Sequence, residues 1–311
     1  MKNVIFYGAS VTHQSGDSGY FTHLKNRLFE LGWNAERMTY PSSQLGNAGF
    51  FNLINFNFDQ SIDLVVLEWS TTSEASYQEK KIKVIFEFFL SKKIPLLILI
   101  LPQRNNYMKP RVSELQLQQS ALLYGTGLID LRSLCLLYDF STLIRDDVHT
   151  TEKGALLYST CIENYFKESS FDVIYDCVNY VDPIFSCLIK DFTLKSGESL
   201  NFEISSLGGD AEIVIDHIIG PFSPIVNIQA SNGTFMERTF FDPWCHYERT
   251  NFNGFLDFEV LKTLGEKFSL TISDRIPDFS ILKQSIQYTG DRYLKINRIY
   301  AYDCVIKCLS N

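Results

Sequence analysis

Two short segments of the chain carry residue types that can perform nucleophilic chemistry. Ser10 follows the apolar run 3–7, and Asp146 precedes His149 by three residues. An aspartate at that spacing can fold back to accept the Nδ1 proton of the imidazole, so that Nε2 is left free to take a proton from a serine. Taken singly, the serine is better explained by a turn-capping hydroxyl, and the Asp–His pair by an exposed loop. Together the two segments predict a catalytic triad.

The elements that must position these residues alternate between short apolar strands and amphipathic helices. Strands are predicted at 3–7, 35–40, 63–68, 96–101 and 127–130. The runs 64–67 and 96–100 have no polar alternation, which is typical of strands buried on both faces of a parallel sheet.

Helices are predicted around these strands, at 20–31, 74–92, 112–123 and 151–167. The first of them places Phe21, Leu24 and Leu28 on one stripe and stops at Gly32, a residue suited to a left-handed cap. The alternation of strand and helix predicts a doubly wound α/β domain over residues 1–168. In such a fold Ser10 lies at the carboxyl edge of the sheet, where ligands bind.

The pattern changes after residue 169 to short runs of alternating apolar and polar residues, which predict an all-β domain over residues 169–311. The predicted strands are 192–194, 200–204, 212–215, 225–228, 268–272 and 293–302. Turn signals occur at 195–197, 208–210, 231–233 and 253–254. The size of this domain favours a sandwich or jelly roll of about eight strands.

The first domain resembles the SGNH (GDSL-like) hydrolases, in which a nucleophilic serine follows the first strand and an Asp-x-x-His precedes the last helix. The resemblance covers residues 1 to about 168. It implies that Ser10 is the nucleophile, His149 the general base and Asp146 the carboxylate that orients the base. Gly154, five residues after His149, matches a family glycine that allows the final helix to pack closely.

The resemblance also implies an oxyanion hole. In the family it combines the backbone N–H of the serine, here Ser10, with the N–H of a glycine after the second strand and an asparagine side chain after the third. Gly46 is the candidate for the glycine, and Ser43 and Gln44 are the alternatives in a shifted register.

Thr72 occupies the position where family members carry the asparagine, so this chain departs from the pattern there. The departure matters because loss of one oxyanion donor lowers turnover by about a hundred- to a thousandfold. The Thr72 hydroxyl is one candidate replacement, and the side chain of Asn47 on the neighbouring loop is another.

The chemistry implied by the resemblance is acyl transfer through an acyl-enzyme. With water as the acceptor the protein is an esterase that removes a small acyl group, such as acetyl, from a carbohydrate or glycan ester. With a sugar hydroxyl as the acceptor it is an O-acetyltransferase that also needs an acetyl donor, and the same triad serves both. The third alternative is a carbohydrate-binding protein that retains the triad without catalysis.

Candidate substrate contacts lie in both domains. His13, three residues after Ser10, is either at the entrance to the site or an ordinary loop histidine. In the second domain a set of aromatic residues can stack on a sugar ring or face the core, and the core interpretation is favoured. The set comprises Trp244, Tyr247, Phe252 and Phe255.

The charge of the chain narrows the classes of partner. A formal net charge of −8 at pH 7 argues against broad binding to nucleic acids or acidic membranes, which requires clustered positive charge. The longest apolar stretch, 94–102, is far shorter than the ~20 residues of a membrane-spanning helix. The predicted partner is a small-molecule or glycan ester.

The seven cysteines are scattered and show no Cys-x-x-Cys spacing, which predicts reduced thiols and no zinc site. The first ten residues lack the pattern of an export signal, so we expect a cytoplasmic protein. No metal or organic cofactor is predicted, because acyl transfer through serine needs only a base and an oxyanion hole.

Overall fold

The computed structural model describes residues 1–41, 43–56, 61–72, 79–104, 107, 109–171, 185–241, 248–275, 288 and 290–309. The chain splits into two compact units, Met1–Asp182 and Pro183–Asn311. The domain boundary predicted between residues 168 and 169 stays a prediction, since 172–184 lie outside the described residues. Phe171, beyond that boundary, packs on Trp33 and Phe166 of the first unit.

The first unit is a parallel sheet with helices in the connections. Its strands are β1 (Lys2–Gly8), β2 (Trp33–Thr39), β3 (Leu64–Glu68), β4 (Leu96–Ile100) and β5 (Gly127–Asp130). Its helices are α1 (Ser10–His13), α2 (Tyr20–Glu30), α3 (Glu79–Ser91), α4 (Val112–Tyr124), α5 (Leu134–Leu137), α6 (Phe140–Leu143) and α7 (Glu152–Glu168). The predicted strands and helices are confirmed, apart from the part of one helix at 74–78, which lies outside the described residues.

The strand order is β2-β1-β3-β4-β5, and every neighbouring pair is parallel. The doubly wound arrangement is thereby confirmed. From β1 the chain adds strands first on one side, at β2, and then on the other, at β3. Ligands of open parallel sheets bind at the carboxyl ends of the strands where the direction of winding reverses in this way. Gly8 and Glu68, the last residues of these two strands, lie opposite each other in the register.

Both faces of this sheet are covered, because successive residues of a strand point to opposite sides. On one face Phe6 and Val66 belong to a buried core shared with Leu24 of α2 and Tyr158 of α7. On the other face the ring of Tyr7 lies among the aromatic rings of Phe56, Trp69 and Phe89. Burial on both faces explains why the central strands are apolar throughout.

The second unit is antiparallel. Its strands are β6 (Phe185–Lys195), β7 (Ser199–Ile219), β8 (Ile225–Ala230), β9 (Phe235–Thr239), β10 (Arg249–Leu256), β11 (Lys267–Ile272) and β12 (Tyr293–Leu309). The order is β6-β12-β7-β11-β8-β9, and β10 pairs with β7. One helix, α8 (Phe258–Leu264), also belongs to this unit, and neither it nor β9 and β10 was predicted.

The two halves of the long strand β7 pair with different strands. Its residues 199–203 pair with β11, and its residues 213–219 pair with β10. A single hydrophobic core contains side chains from both halves, among them Phe202, Ile215 and Phe268. The described strands of this unit form one antiparallel sheet around that core, which confirms the predicted all-β domain.

The turn predicted at 208–210 is wrong, because these residues lie inside β7. The register between β7 and β12 shifts at this point, and Asp303 of β12 has a positive φ of 48°. A Cβ on Gly208 would lie 2.1 Å from the Asp303 carboxylate, so a side chain at this position would have to displace the Asp303 side chain. The glycine pair therefore marks a β-bulge rather than a hairpin.

The turn predicted at 253–254 is also wrong, since it falls within β10, where the register shifts between Gly254 and Leu256. The turns at 195–197 and 231–233 are confirmed: each lies between two strands, and Gly197 and Gly233 have φ values of 82° and 91°. The cysteines with described side chains, Cys135, Cys161, Cys304 and Cys308, are free thiols.

Candidate active site

Asp146 and His149 form a hydrogen-bonded pair in the loop before α7. Asp146 Oδ2 lies 2.9 Å from His149 Nδ1, and Asp146 Oδ1 accepts the backbone N–H groups of Val148 and His149 at 2.9 Å each. The carboxylate therefore holds the proton on Nδ1 and leaves Nε2 as the basic nitrogen. Burial raises the pKa of Asp146, but the hydrogen bonds from Val148 and His149 outweigh it, so the pKa lies below its usual value.

The loop that carries this pair is closed by backbone contacts. Ile144 and Thr150 form an antiparallel bridge, and Arg145 donates its N–H to the His149 carbonyl at 2.9 Å. From the loop after β4, Arg104 donates its N–H to the Asp147 carbonyl at 2.9 Å and its Nε–H to the Asp146 carbonyl at 3.1 Å. These bonds fix the direction of the imidazole.

Gly154 secures the start of α7 beneath the loop. The helix is capped by Thr151, whose hydroxyl accepts the Gly154 N–H at 3.0 Å. A Cβ on Gly154 would lie 1.9 Å from the Leu143 carbonyl oxygen, so only glycine allows this approach. The close packing expected of this glycine is present, and its partner is the backbone of Leu143.

Ser10 begins the single-turn helix α1 at the carboxyl end of β1. Its side chain is half-buried, and the Gln14 N–H donates to its carbonyl at 2.9 Å. At the other end of the turn, Arg37 Nη1 donates to the carbonyls of Thr12, His13 and Gln14. The guanidinium thus satisfies carbonyls that a short helix leaves without partners.

Gln14 ties the serine turn to the histidine loop. Its buried amide donates from Nε2 to the Thr150 carbonyl at 2.9 Å, and the Thr150 hydroxyl, which donates to the Ser18 carbonyl at 2.5 Å, lies 3.3 Å from Gln14 Oε1. Gln14 lies one helical turn from Ser10, and Thr150 follows His149 directly. The two segments, 136 residues apart, therefore meet at the same edge of the sheet.

Ser10 and His149 lie in adjacent segments, but no hydrogen bond joins their side chains in this structure. Neither the Ser10 hydroxyl nor His149 Nε2 has a hydrogen-bond partner among the described residues. Hydrogen bonds between nucleophile and base are often long without substrate and tighten in the reacting complex. The His149 side chain is 29% exposed, so Nε2 is not sealed into the core.

Gly46, a predicted oxyanion donor, lies in the π-helical turn Leu45–Gly49 after β2. The first N–H groups of a helix have no partner within it, so the Gly46 N–H can donate to a ligand. The Gly46 carbonyl accepts Lys81 Nζ at 2.8 Å, which anchors the turn to α3. Asn47 is half-buried in the same turn.

Thr72 is held by bonds that direct its hydroxyl elsewhere. The hydroxyl donates to the Trp69 carbonyl at 2.8 Å, and the Thr72 carbonyl accepts Arg111 Nη1 at 2.7 Å. Arg111 is paired in turn with Glu114 at 3.1 Å. In this conformation the Thr72 proton is committed to Trp69, so the hydroxyl can serve an oxyanion only after it rotates.

The other predicted contacts separate into two groups. His13 is exposed, its Nδ1 lies 2.9 Å from Thr39 Oγ1, and its pKa is lowered by partial burial and by the charge of Arg37. Phe252 and Phe255 are buried, as the core interpretation predicted. Trp244 and Tyr247 lie outside the described residues.

Gln14, Arg37 and Thr150 are site residues that the sequence did not reveal. Their roles depend on bonds to segments far along the chain, and no local spacing marks them. The described part of the chain contains no cluster of three or more metal-ligating side chains. No helix among the described residues is both long and apolar enough to cross a membrane.

The fold of the whole chain is similar to that of a crystallised two-domain esterase, CEX, which is active on acetylated mannans and was crystallised with mannopentaose. The two share 14% identity and a TM-score of 0.64, over 100% of this chain and 91% of that one. This similarity confirms the two-part fold predicted from the sequence, a doubly wound α/β domain followed by a β domain.

Two further crystal structures match about half of the chain. They are a GDSL-like lipase from Bacteroides thetaiotaomicron, at 15% identity and a TM-score of 0.42, and the esterase EstA from Pseudoalteromonas sp., at 13% and 0.43. Each covers 54% of this chain, and the alignments span 88% and 98% of the two neighbours. No protein-family model and no curated protein matches the chain.

Proposed function

We propose that the protein is a serine esterase that removes a small acyl group, acetyl in the first instance, from a carbohydrate or glycan ester. The observation that carries the proposal is the Asp146–His149 pair, whose basic nitrogen has no partner among the described residues, on a loop tied to the Ser10 turn. The CEX fold supports it, because that protein acts on acetylated mannans and the similarity covers all of this chain.

The proposed reaction has two halves. As Ser10 Oγ bonds to the acyl carbon, His149 Nε2 takes the hydroxyl proton, and the carbonyl oxygen becomes an oxyanion. The N–H groups of Ser10 and Gly46 are the proposed donors to that oxygen. The C–O bond to the sugar then breaks, and His149 returns the proton to the departing hydroxyl.

Water resolves the acyl-enzyme in the second half. His149 removes a proton from the water, which attacks the acyl carbon, and Ser10 leaves as its hydroxyl with that proton. The products are the deacylated sugar and a carboxylic acid. Throughout, Asp146 holds the imidazole in one tautomer and stabilises its protonated form.

The test measures release of p-nitrophenol from p-nitrophenyl acetate and of acetate from acetylated mannan. Ser10→Ala should lower kcat by at least about a thousandfold, the scale of losing a triad member. Ser15→Ala is the matched control, since Ser15 is an exposed serine nearby whose side chain caps no helix. It should retain the wild-type rate.

Other outcomes would replace the proposal. Sugar binding without serine-dependent release of acetate would make the protein a carbohydrate-binding protein. An acetylated sugar formed only when donor and acceptor are both supplied, with little hydrolysis alone, would make it an O-acetyltransferase. In both cases the esterase proposal fails.

A further inference from the structure

A buried carboxyl group lies beneath the candidate active site and takes no part in the proposed reaction. Glu68 is the last residue of β3 and has no exposed surface. Its Oε2 accepts the Thr12 hydroxyl at 2.8 Å, and its Oε1 accepts the Thr71 hydroxyl at 3.1 Å. Among the described residues no cation is paired with it.

The two threonines belong to different parts of the site. Thr12 lies in α1, two residues after Ser10. Thr71 lies in the turn after β3 and precedes Thr72, the residue at the family's third oxyanion position. One side chain therefore bonds to the serine turn with one oxygen and to the loop after β3 with the other.

The backbones of β1 and β3 approach each other closely beside this carboxyl group. A Cβ on Gly8 would lie 2.6 Å from the Glu68 carbonyl oxygen and 2.8 Å from Thr12 Oγ1. The hydroxyl oxygens of Thr12 and of the fully buried Tyr20 lie 2.8 Å apart, so the hydrogen-bond network extends to α2. The carboxyl group is thus surrounded by fixed partners.

An ionisable group in such a position is unfavourable for stability by itself, because burial of an unpaired charge costs free energy. Burial raises the pKa of Glu68 to about 7, although hydrogen bonds from Thr12 and Thr71 and from the Thr71 and Ala9 backbone act to lower it. Tyr20 on α2 and Tyr158 on α7 are the titratable groups that interact with its charge, and both have raised pKa values, chiefly through burial. A core leucine would avoid this penalty, so packing alone does not account for the residue.

We propose that Glu68 is a positioning residue that sets the spacing between the Ser10 turn and the loop after β3 through Thr12 and Thr71. This inference rests on the proposed esterase function. Glu68 touches no reacting atom, so its effect is on the position of the Ser10 turn relative to the loop after β3. A misplacement of that kind lowers turnover more than substrate binding.

The experiment compares Glu68→Gln with Thr71→Val and with the double variant, using p-nitrophenyl acetate. We expect Glu68→Gln to lower kcat by about tenfold to a hundredfold, less than the loss of a triad member, while KM changes by less than about twofold. Because the two side chains act through one bond, the double variant should lose little more than the worse single variant. Asp216→Asn, which changes a largely buried carboxyl of the second unit, is the matched control and should leave kcat unchanged.

A pH profile separates positioning from general damage to the fold. The carboxylate is the form that accepts both hydroxyls, so in the wild type kcat should fall on the acid side as Glu68 becomes protonated. In Glu68→Gln the contribution of this protonation to the acid side of the profile should be absent. A merely structural role would lower the rate without changing the shape of the profile.

Each outcome decides the inference. Wild-type activity that depends on Ser10, together with an unchanged kcat and profile in Glu68→Gln, overturns this inference and leaves the esterase intact. Absence of Ser10-dependent activity in the wild type overturns both. If Glu68→Gln does not fold, as judged by circular dichroism, Thr71→Val decides: a kcat equal to wild type contradicts the proposal.

Discussion

The two units give their buried titratable side chains different surroundings. Glu68 in the first unit and His217 in the second are both fully buried. Both oxygens of Glu68 accept hydrogen bonds, whereas His217 Nε2 has no partner among the described residues and Nδ1 lies 3.2 Å from the Ile215 carbonyl. Burial shifts their pKa values in opposite directions, to about 7 for Glu68 and about 4 for His217.

The difference lies in what each buried group connects. Glu68 and Gln14 join segments that are distant in the chain, at the place where the candidate triad is assembled. His217 bonds within its own strand and packs edge-on against the ring of Phe240. The buried polar network of the first unit is therefore built around a site, whereas His217 is embedded in packed core.

The largest effect expected from this comparison follows from Asp146→Asn. An amide cannot hold the imidazole in the required tautomer or stabilise its charged form, so kcat for p-nitrophenyl acetate should fall by about a thousandfold to ten-thousandfold. The same change in the second unit, Asp216→Asn, should leave kcat within about twofold of wild type. A loss smaller than about tenfold in Asp146→Asn would remove the pair from the chemistry.

The second unit should be sensitive to acid through His217. Its pKa is lowered in the folded state, so the unfolded chain binds the proton first and stability is lost as the pH falls from 6.5 toward about 4. The shift corresponds to about 3 kcal/mol. We expect His217→Phe to remove that loss, measured as the difference in unfolding free energy between wild type and variant at pH 7 and pH 4.5.

Hydrogen exchange measured on peptides of each unit reports the stability of the two units separately.

Two carboxyl groups change the stability with pH in the sense opposite to His217. Glu68 and Asp216 have raised pKa values, so each favours the folded state more as the pH falls, between about 7 and 4.5 for Glu68 and between about 6 and 3.8 for Asp216. The measured quantity is therefore the unfolding free energy of the wild type minus that of His217→Phe. If this difference does not change with pH, His217 is exposed or charged in the folded unit.

A smaller effect is expected from Gln14→Leu, which removes the tether between the serine turn and the histidine loop. The Thr150 carbonyl loses its partner, so unfolding free energy should fall by about 1–3 kcal/mol, and kcat by about tenfold as the two segments separate. Gln229→Leu is the control in the second unit, because within the described part of the chain its side-chain amide bonds only to the carbonyls of Ala230 and Thr234. It should leave kcat unchanged, and an equal loss in both variants would contradict the role given to Gln14.

The strands and helices of the first unit were predictable because their signals are local. An uninterrupted apolar run predicts a doubly buried strand, and Gly32, with a φ of 84°, takes the left-handed conformation expected after α2. The Asp146–His149 pair is equally local, since a three-residue spacing brings the side chains together within one loop. The second unit was harder, because Gly208 lies inside the long strand β7, next to the Asp303 side chain of a distant strand, rather than in a turn.

The sequence by itself determined the order of strands and helices in the first unit, the serine after β1 and the Asp–His pair before α7, because these depend on interactions between near neighbours in the chain. Only the tertiary structure decided that Gln14 meets Thr150, that Glu68 bonds to Thr12 and Thr71, and that the Thr72 hydroxyl turns to Trp69. The first two depend on how the whole sheet is ordered and packed, and the third on the path of the backbone after β3. A pattern of residue types contains no record of such distances, since each is the outcome of many contacts formed at once.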